Sequence, residues 1–288
     1  MIIGESINQV CLNRCLNPAE KLAVRASLNQ LANEDPFGSL SFWGKIYGVQ
    51  NDYLIAKSLN FKVEISKKFY FSMDQGKTFA VLPNIDAWIA DKASKHHGQF
   101  TGDPSAQLQE FVPGQGEGDK EGEEQESADG KEVDGSASIR QLRELERLSW
   151  TVLNIDHHTD LTIKGSYIRN SASDLIPNPN FQGLESPAQL LDLNNYQHLR
   201  QPQDLDNLIE MTKRLESFSI KAALDTISID LPKGVWTVSA VDSSGTSVHL
   251  QNHLWPGFSA WVSIGSPRIE QAGYFGYGQR NQDLVFAL

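Results

Sequence analysis

The sequence predicts an α+β fold in which a largely antiparallel β-sheet is built from the N- and C-terminal segments and helices lie between them. Three observations support this prediction. Residues 40–71 and 235–277 contain short alternating or aromatic-rich runs separated by Gly, Asn and Asp, as in hairpins. Much of residues 139–224 instead places apolar residues at every third or fourth position, as in helices. A strongly acidic tract stands between the two parts.

The first predicted element is a helix that begins around Asn17. Asn17 is a favoured cap residue, Pro18 suits the first helical position, and Glu20 stands three residues after the cap. The apolar face that follows comprises Val24, Leu28 and Leu31.

A hairpin and further strands are predicted next. Aromatic residues between Leu40 and Val49 are interleaved with glycine, and a turn signal at residues 50–52 precedes a second run from Tyr53 to Ile55. The clearest alternation is in residues 61–71, where we expect one half-buried strand with Tyr70 on its outer face. A short strand at 78–82 and a short helix at 85–93 follow.

Residues 113–135 form an acidic tract. It contains nine acidic residues and two lysines, a formal charge of −7 out of −11 for the whole chain. Because Val133 is its one large apolar residue, the tract cannot offset the entropy lost on ordering, and we predict a disordered loop. The loop separates residues 1–112 from 136–288, which we expect to form one domain. It is either a solubilising insertion or a charged segment that repels acidic surfaces or attracts a basic partner.

The part after the tract is predicted to change from helical to β-rich. An amphipathic helix is expected to begin after Ser138, a second at Ser186-Pro187, and a third over residues 205–224. Residues 235–241 and 246–250 then flank a glycine-containing turn of hairpin length. Further strands are expected at residues 258–264 and 273–277.

Composition favours a soluble intracellular protein. The N-terminal residues lack the basic start of a signal peptide, and no run reaches the roughly 20 apolar residues of a spanning helix. Cys11 and Cys15 are too few for a disulfide framework. We interpret them as small apolar side chains rather than a redox or metal pair. The negative net charge argues against a nucleic-acid partner.

Chemistry-bearing motifs are scarce. The histidine doublets at 96–97 and 157–158 place neighbouring imidazoles on different sides of a regular element, which disfavours a shared metal ion. An enzyme remains the alternative hypothesis, because His157, His158 and Asp160 are expected to form a loop that places imidazoles beside a carboxylate, as in a hydrolase or a metal-dependent enzyme. No nucleophile elbow or phosphate loop accompanies them, so we assign no catalytic residue, metal or cofactor.

Aromatic residues beside glycine and proline are abundant instead. Such rings build rigid sheets and packed contact surfaces, although core packing is the more common explanation of any single ring. The glycines near the end of the chain are expected to face rings across a strand pair. The candidate partner-binding residues are Phe42, Trp43, Tyr47, Tyr53, Trp236, Trp255, Phe258, Tyr274 and Tyr277.

Five ordered blocks resemble the radial spoke head protein family. They are FWGKIYG with DYLIA at residues 42–56, GQFTGDP at 98–104, LPKGVW at 231–236, LWPG at 254–257, and the terminus that begins with GYFGYG at residue 273. The resemblance implies a structural, non-catalytic subunit of the radial spoke head, which projects from axonemal doublet microtubules toward the central pair. It also implies association with radial spoke head protein 4/6 and other radial spoke proteins, a place in the cytoskeleton of the cilium or flagellum, and a role in motility. It implies no membrane or nucleic-acid partner.

Overall fold

The computed structural model describes residues 16–34, 39–60, 65–108, 141–169, 175–200 and 224–284. Within these ranges the helices are α1 (Pro18–Glu34), α2 (Ala87–Lys95), α3 (Glu144–Thr159) and α4 (Pro187–Leu191). The strands are β1 (Ser39–Ile46), β2 (Tyr53–Asn60), β3 (Ser66–Ser72), β4 (Ala80–Val81), β5 (Gln107–Leu108), β6 (Leu142–Arg143), β7 (Leu161–Ile163), β8 (Tyr167–Arg169), β9 (Leu175–Pro177), β10 (Tyr196–His198), β11 (Trp236–Ala240), β12 (Ser247–Asn252), β13 (Phe258–Ser263) and β14 (Gln271–Gly276).

Several predictions fall outside the described residues and stay predictions. These are the interpretation of Cys11 and Cys15, the disorder of the acidic tract at 113–135, and the helix expected over most of residues 205–224.

An eight-stranded sheet joins the two ends of the chain. Its strand order is β11-β12-β13-β14-β1-β2-β3-β4, and every neighbouring pair is antiparallel except β14 and β1, which run parallel. The predicted α+β fold with a largely antiparallel sheet from both ends of the chain is therefore confirmed.

The parallel seam between β1 and β14 depends on Gly44. The β1–β2 register slips by one residue between Phe42 and Gly44, and Gly44 then pairs with Tyr274 of β14. A Cβ atom on Gly44 would lie 2.1 Å from the carbonyl oxygen of Tyr274. The two backbones approach this closely because position 44 has no side chain.

Helix α1 begins as predicted. The Asn17 amide donates to Glu20 Oε2 at 2.9 Å, and the Glu20 amide donates to Asn17 Oδ1 at 2.7 Å, which is a reciprocal capping box. Val24 and Leu28 are buried in a core cluster with residues of β1, β2 and β3. Helix α1 therefore covers one face of the N-terminal half of the sheet.

Helix α3 packs into the main core, but it begins later than predicted. The expected start was after Ser138, whereas the helix begins at Glu144. Leu142 and Arg143 instead pair with β5, so the tertiary ladder takes two residues that the apolar periodicity assigned to the helix. The other end of α3 extends to Thr159, so His157 and His158 lie in its last turn rather than in a loop.

The alternation at residues 61–71 does not form one strand with one buried face. Strand β2 continues to Asn60, which pairs with Ser66 at the start of β3, and residues 61–64 are not described. Tyr70, expected on the outer face, is buried against the α1 cluster, while Phe69 on the opposite face joins the main core. The sheet is covered on both faces here, which a period of two cannot reveal.

The other predicted helix start and the C-terminal strands are present, but the middle segment also contains the short strands β7, β8, β9 and β10, which the sequence analysis did not predict. Ser186 caps α4 by accepting a hydrogen bond from the Gln189 amide at 3.3 Å, with Pro187 in the first turn. Strands β11 and β12 form the predicted hairpin, and β13 and β14 follow. None of the described helices is long and apolar enough to cross a membrane.

Candidate functional site

Most of the nine candidate aromatic residues lie inside the molecule. Seven are no more than 7% exposed, namely Phe42, Trp43, Tyr53, Trp236, Trp255, Phe258 and Tyr274. Tyr47 is partly buried and Tyr277 is 53% exposed. Partner binding by these nine residues stays a prediction, and only Tyr47 and Tyr277 among them have rings at the surface.

The buried rings hold the two halves of the sheet together. The Trp43 ring lies 5.7 Å from the ring of Tyr274 across the seam and 6.3 Å from the ring of Phe69, with which it forms a T-shaped pair. Its indole Nε1 donates to Asp156 Oδ1 on α3 at 3.0 Å. One side chain therefore connects β1, β3, β14 and α3. The glycines near the end of the chain do not face rings across a strand pair as predicted, because Gly273 pairs with Ser259 of β13 and Gly276 pairs with Ile46 of β1.

The surface pair, Tyr47 and Tyr277, lies where the seam ends. The Tyr47 amide extends the parallel ladder by donating to the Gly276 carbonyl at 2.9 Å, and the two tyrosine rings are 5.5 Å apart. Val49, two residues beyond Tyr47, is 67% exposed. Because both rings continue the rigid central strands, they form a firmly supported aromatic surface.

A buried charge network connects α3 to the sheet, and the sequence analysis did not find it. Lys57 of β2 and Lys67 of β3 each contact both Asp156 and Asp160, with N–O distances of 2.5–3.0 Å. These four side chains are only 3–12% exposed. Two features of the sequence could have indicated this network. Asp156 and Asp160 are four residues apart at a helix end, and Lys57 lies within the apolar run of β2.

Burial and charge act in opposite directions in this network. Burial alone lowers the pKa of Lys57, but the charges of Asp156 and Asp160 outweigh it and raise that pKa above its ordinary value. Burial alone raises the pKa of Asp156, and Lys57 and Lys67 reverse this and hold it below its usual range. The net pKa shifts of Lys57 and Asp156 favour the charged forms of both side chains near pH 7.

Of the three residues of the enzyme hypothesis, His157 and His158 contact each other edge-on with ring centres 5.4 Å apart, and Asp160 is held by other partners. The Asp160 carboxylate is engaged by the two lysines, whereas His158 Nδ1 is bonded to the Asn154 carbonyl oxygen at 2.7 Å and the His158 ring lies 6.2 Å from that of Trp255. Burial, followed by the charge of Arg200, lowers the pKa of His157 to about 4, so His157 is neutral at pH 7. Within the described ranges, no three His, Cys, Asp or Glu side chains form a cluster that could hold a metal ion.

Glu144 forms a second buried polar site at the start of α3. Its carboxylate is fully buried and accepts four hydrogen bonds, from the Tyr53 hydroxyl at 2.7 Å and from the Thr101 amide, the Thr101 hydroxyl and the Gly102 amide at 2.8 Å each. It thus fixes the loop of residues 98–104 against both β2 and α3. Burial, together with Glu144, raises the pKa of Tyr53, which therefore stays a donor.

Removing one donor from Glu144 should be measurable. We expect Tyr53→Phe to lower the free energy of unfolding by about 2 kcal/mol, because a hydrogen bond to a buried charge is lost without a new cavity. Urea unfolding of the full chain followed by tryptophan fluorescence measures the change. Tyr277→Phe makes the same substitution at the exposed tyrosine and should leave the midpoint unchanged. Equal effects of the two substitutions would contradict the role of Glu144.

Comparisons with known proteins find a family model for the N-terminal part and relatives along 95% of the chain. The family model described as radial spokehead-like protein matches residues 3–141. The chain is 30% identical over 278 residues to a radial spoke head protein 9 homolog of Danio rerio, covering 95% of this chain and 93% of the relative. It is 27% identical over 277 residues to the homolog of Bos taurus and 26% identical over 275 residues to that of Homo sapiens, with the same coverage.

Proposed function

The chain belongs to the radial spokehead-like protein family, and from this membership we propose that it is a structural, non-catalytic subunit of the axonemal radial spoke head. The observation that carries the proposal is the similarity to radial spoke head protein 9 homologs along 95% of the chain. In this role the protein packs against other spoke-head proteins and supports the regulation of ciliary and flagellar motility. Its place is the axoneme, in a spoke head that faces the central pair.

The use of the charged side chains supports a packing role. Asp160 of the enzyme hypothesis is bound to two lysines, and the Glu144 carboxylate accepts four internal hydrogen bonds. These contacts fix helix α3 to the sheet and to the loop of residues 98–104. Groups that could act as acid or base therefore stabilise the fold.

The proposed partners are radial spoke head protein 4/6 and other radial spoke proteins. The surface offered to them is the aromatic pair at the end of the seam, Tyr47 and Tyr277. Exposed tyrosines on a rigid support bury a large area at low entropic cost when they bind. The seven buried candidates contribute indirectly, because they make the sheet behind this pair stiff.

Co-expression with radial spoke head protein 4/6 tests the proposal. We expect one complex in size-exclusion chromatography, and we expect Tyr277→Ser to weaken it by about tenfold or more, because a central exposed ring is lost. The unfolding midpoint should be unchanged, since Tyr277 is 53% exposed.

The matched control is Leu22→Ser on α1. Leu22 is 72% exposed and lies outside the aromatic pair, so this variant should bind the partner normally. If the two unmodified proteins elute separately at micromolar concentration, the proposed interaction with radial spoke head protein 4/6 is wrong. A tagged full chain should also localise to the axoneme of motile cilia, and its absence there would contradict the proposed function.

A further inference from the structure

A cleft of about 720 Å³ lies between α3 and the segment that follows β14. One stripe of α3 forms its floor, at a spacing of three and four residues. The floor comprises Arg147, Trp150, Thr151, Asn154 and His158. The walls come from the end of α2, from residues around Trp255, and from residues 278–284.

The cleft is basic although the chain carries a net charge of −11. Its basic residues come from three places in the fold, and among its described lining residues Asp283 is the one acid. These basic residues are His96, His97, Arg147, His158 and Arg280.

Burial and neighbouring arginines favour the neutral forms of His96 and His158, so the positive charge of the cleft rests on Arg147 and Arg280. Burial first, and then Arg147 and His97, lower the pKa of His96. Burial and nearby arginines, including Arg280, likewise lower the pKa of His158. An anion bound among these groups would offset this positive charge.

Two buried hydrogen-bond donors on the cleft lining lack acceptors within the described part of the chain. They are Nη1 of Arg147 and Nε1 of Trp255, and both residues are 2% exposed. The rest of the Arg147 guanidinium is fixed, because Nη2 donates to the Gly98 carbonyl and the group lies 4.2 Å from the centre of the Phe100 ring. An unpaired buried donor is costly, so carboxylate oxygens brought by a ligand would find preplaced partners here.

The length of the cleft fits an extended peptide rather than a single small anion. Arg147 and His158 are eleven residues apart in α3, which places them about 16 Å apart along the helix axis. About five residues of extended chain would lie along this floor, which is much longer than one phosphate group. The rings of Trp150 and Trp255 line the same cleft and provide apolar contact for the peptide.

We propose that this cleft binds an acidic peptide segment of a partner protein, whose carboxylates pair with Arg280 and Arg147. Arg280 is exposed and steers the segment, while the buried Arg147 fixes its register. The inference is independent of the proposed function, because it concerns the chemistry of the bound segment and not the identity of its owner.

The test uses the full chain and a fluorescein-labelled octaglutamate peptide, with binding followed by fluorescence anisotropy at about 50 mM salt, where exposed charges are weakly screened. We expect saturable binding that Arg280→Glu weakens by about tenfold, because the reversed charge repels the peptide. The control is Lys164→Glu, which makes the same change of charge on an exposed turn that does not line the cleft. It should change the affinity less than twofold, roughly the effect of a single exposed charge.

Three results would overturn the proposal. One is no binding up to about 1 mM peptide, the limit of weak specific affinity. Another is equal weakening by Arg280→Glu and Lys164→Glu, which would mean that the whole surface, and not the cleft, attracts the peptide. The third is any sign that carboxylates spaced along a chain are not what the cleft recognises. Octaglutamine that binds as tightly as octaglutamate would be such a sign. So would competition by inorganic phosphate at the same concentration as the peptide.

Discussion

Gly44→Ala is expected to lower the free energy of unfolding by about 3 kcal/mol, at the upper end of what overpacking costs. The new Cβ would lie 2.1 Å from the Tyr274 carbonyl oxygen, which is backbone and cannot rotate away. Relief requires β1 and β14 to separate, and this pair joins the N- and C-terminal halves of the sheet. Urea unfolding of the purified full chain measures the effect.

The control for this substitution is Gly265→Ala. Gly265 has φ near +73°, but a Cβ added there would meet no atom within 4 Å, so alanine brings backbone strain without a clash. Strain of this kind costs about 1 kcal/mol. If Gly44→Ala lowers the free energy of unfolding no more than Gly265→Ala does, the close contact between β1 and β14 is not important for stability.

Asp156→Asn is expected to cost about 3–5 kcal/mol at pH 7, the range for removing one partner of a buried ion pair. The substitution keeps the size of the side chain but leaves Lys57 and Lys67 with the single charge of Asp160. It also weakens the acceptor of the Trp43 indole. Chemical unfolding monitored by tryptophan fluorescence is again the measurement.

Asp91→Asn provides the matched control. Asp91 pairs with Lys95 on the exposed side of α2, so solvent screens that ion pair and its loss should not be measurable. Equal unfolding midpoints for the two variants would contradict a stabilising role for the buried network.

The same carboxylate predicts how stability depends on pH. Because the pKa of Asp156 is lower in the folded chain than in the unfolded chain, its contribution is complete above about pH 4 and is lost as the pH falls through the folded value. The unmodified protein should therefore lose stability steeply below pH 4. The Asp156→Asn variant should show a shallower loss in that window, and parallel pH profiles would contradict the assignment.

Local signals predicted local structure well. The Asn17 and Glu20 box and the Ser186-Pro187 start each need only a few neighbouring residues, and each is present at the predicted position. The strands of the C-terminal hairpin were predicted for the same reason, because a glycine-containing turn between two apolar runs is a short-range pattern.

Features that depend on distant partners were predicted only in outline. The sequence indicated that strands from both ends share one sheet, but nothing near Gly44 reveals that β1 pairs in parallel with β14. The nine aromatic candidates were chosen by composition, which does not separate a core ring such as Tyr53 from an exposed one such as Tyr277. The charge network was missed because Lys57 and Asp156 meet only in the folded chain.

The position of β14 beside β1 has a consequence for biosynthesis. Strand β1 leaves the ribosome more than two hundred residues before β14 does. At typical elongation rates this leaves its backbone edge without that neighbour for roughly 10–45 s, long enough for wrong strand partners to compete. The nascent chain is therefore expected to need chaperone protection until β14 has been synthesised, and truncation before β14 should yield aggregation rather than a folded fragment.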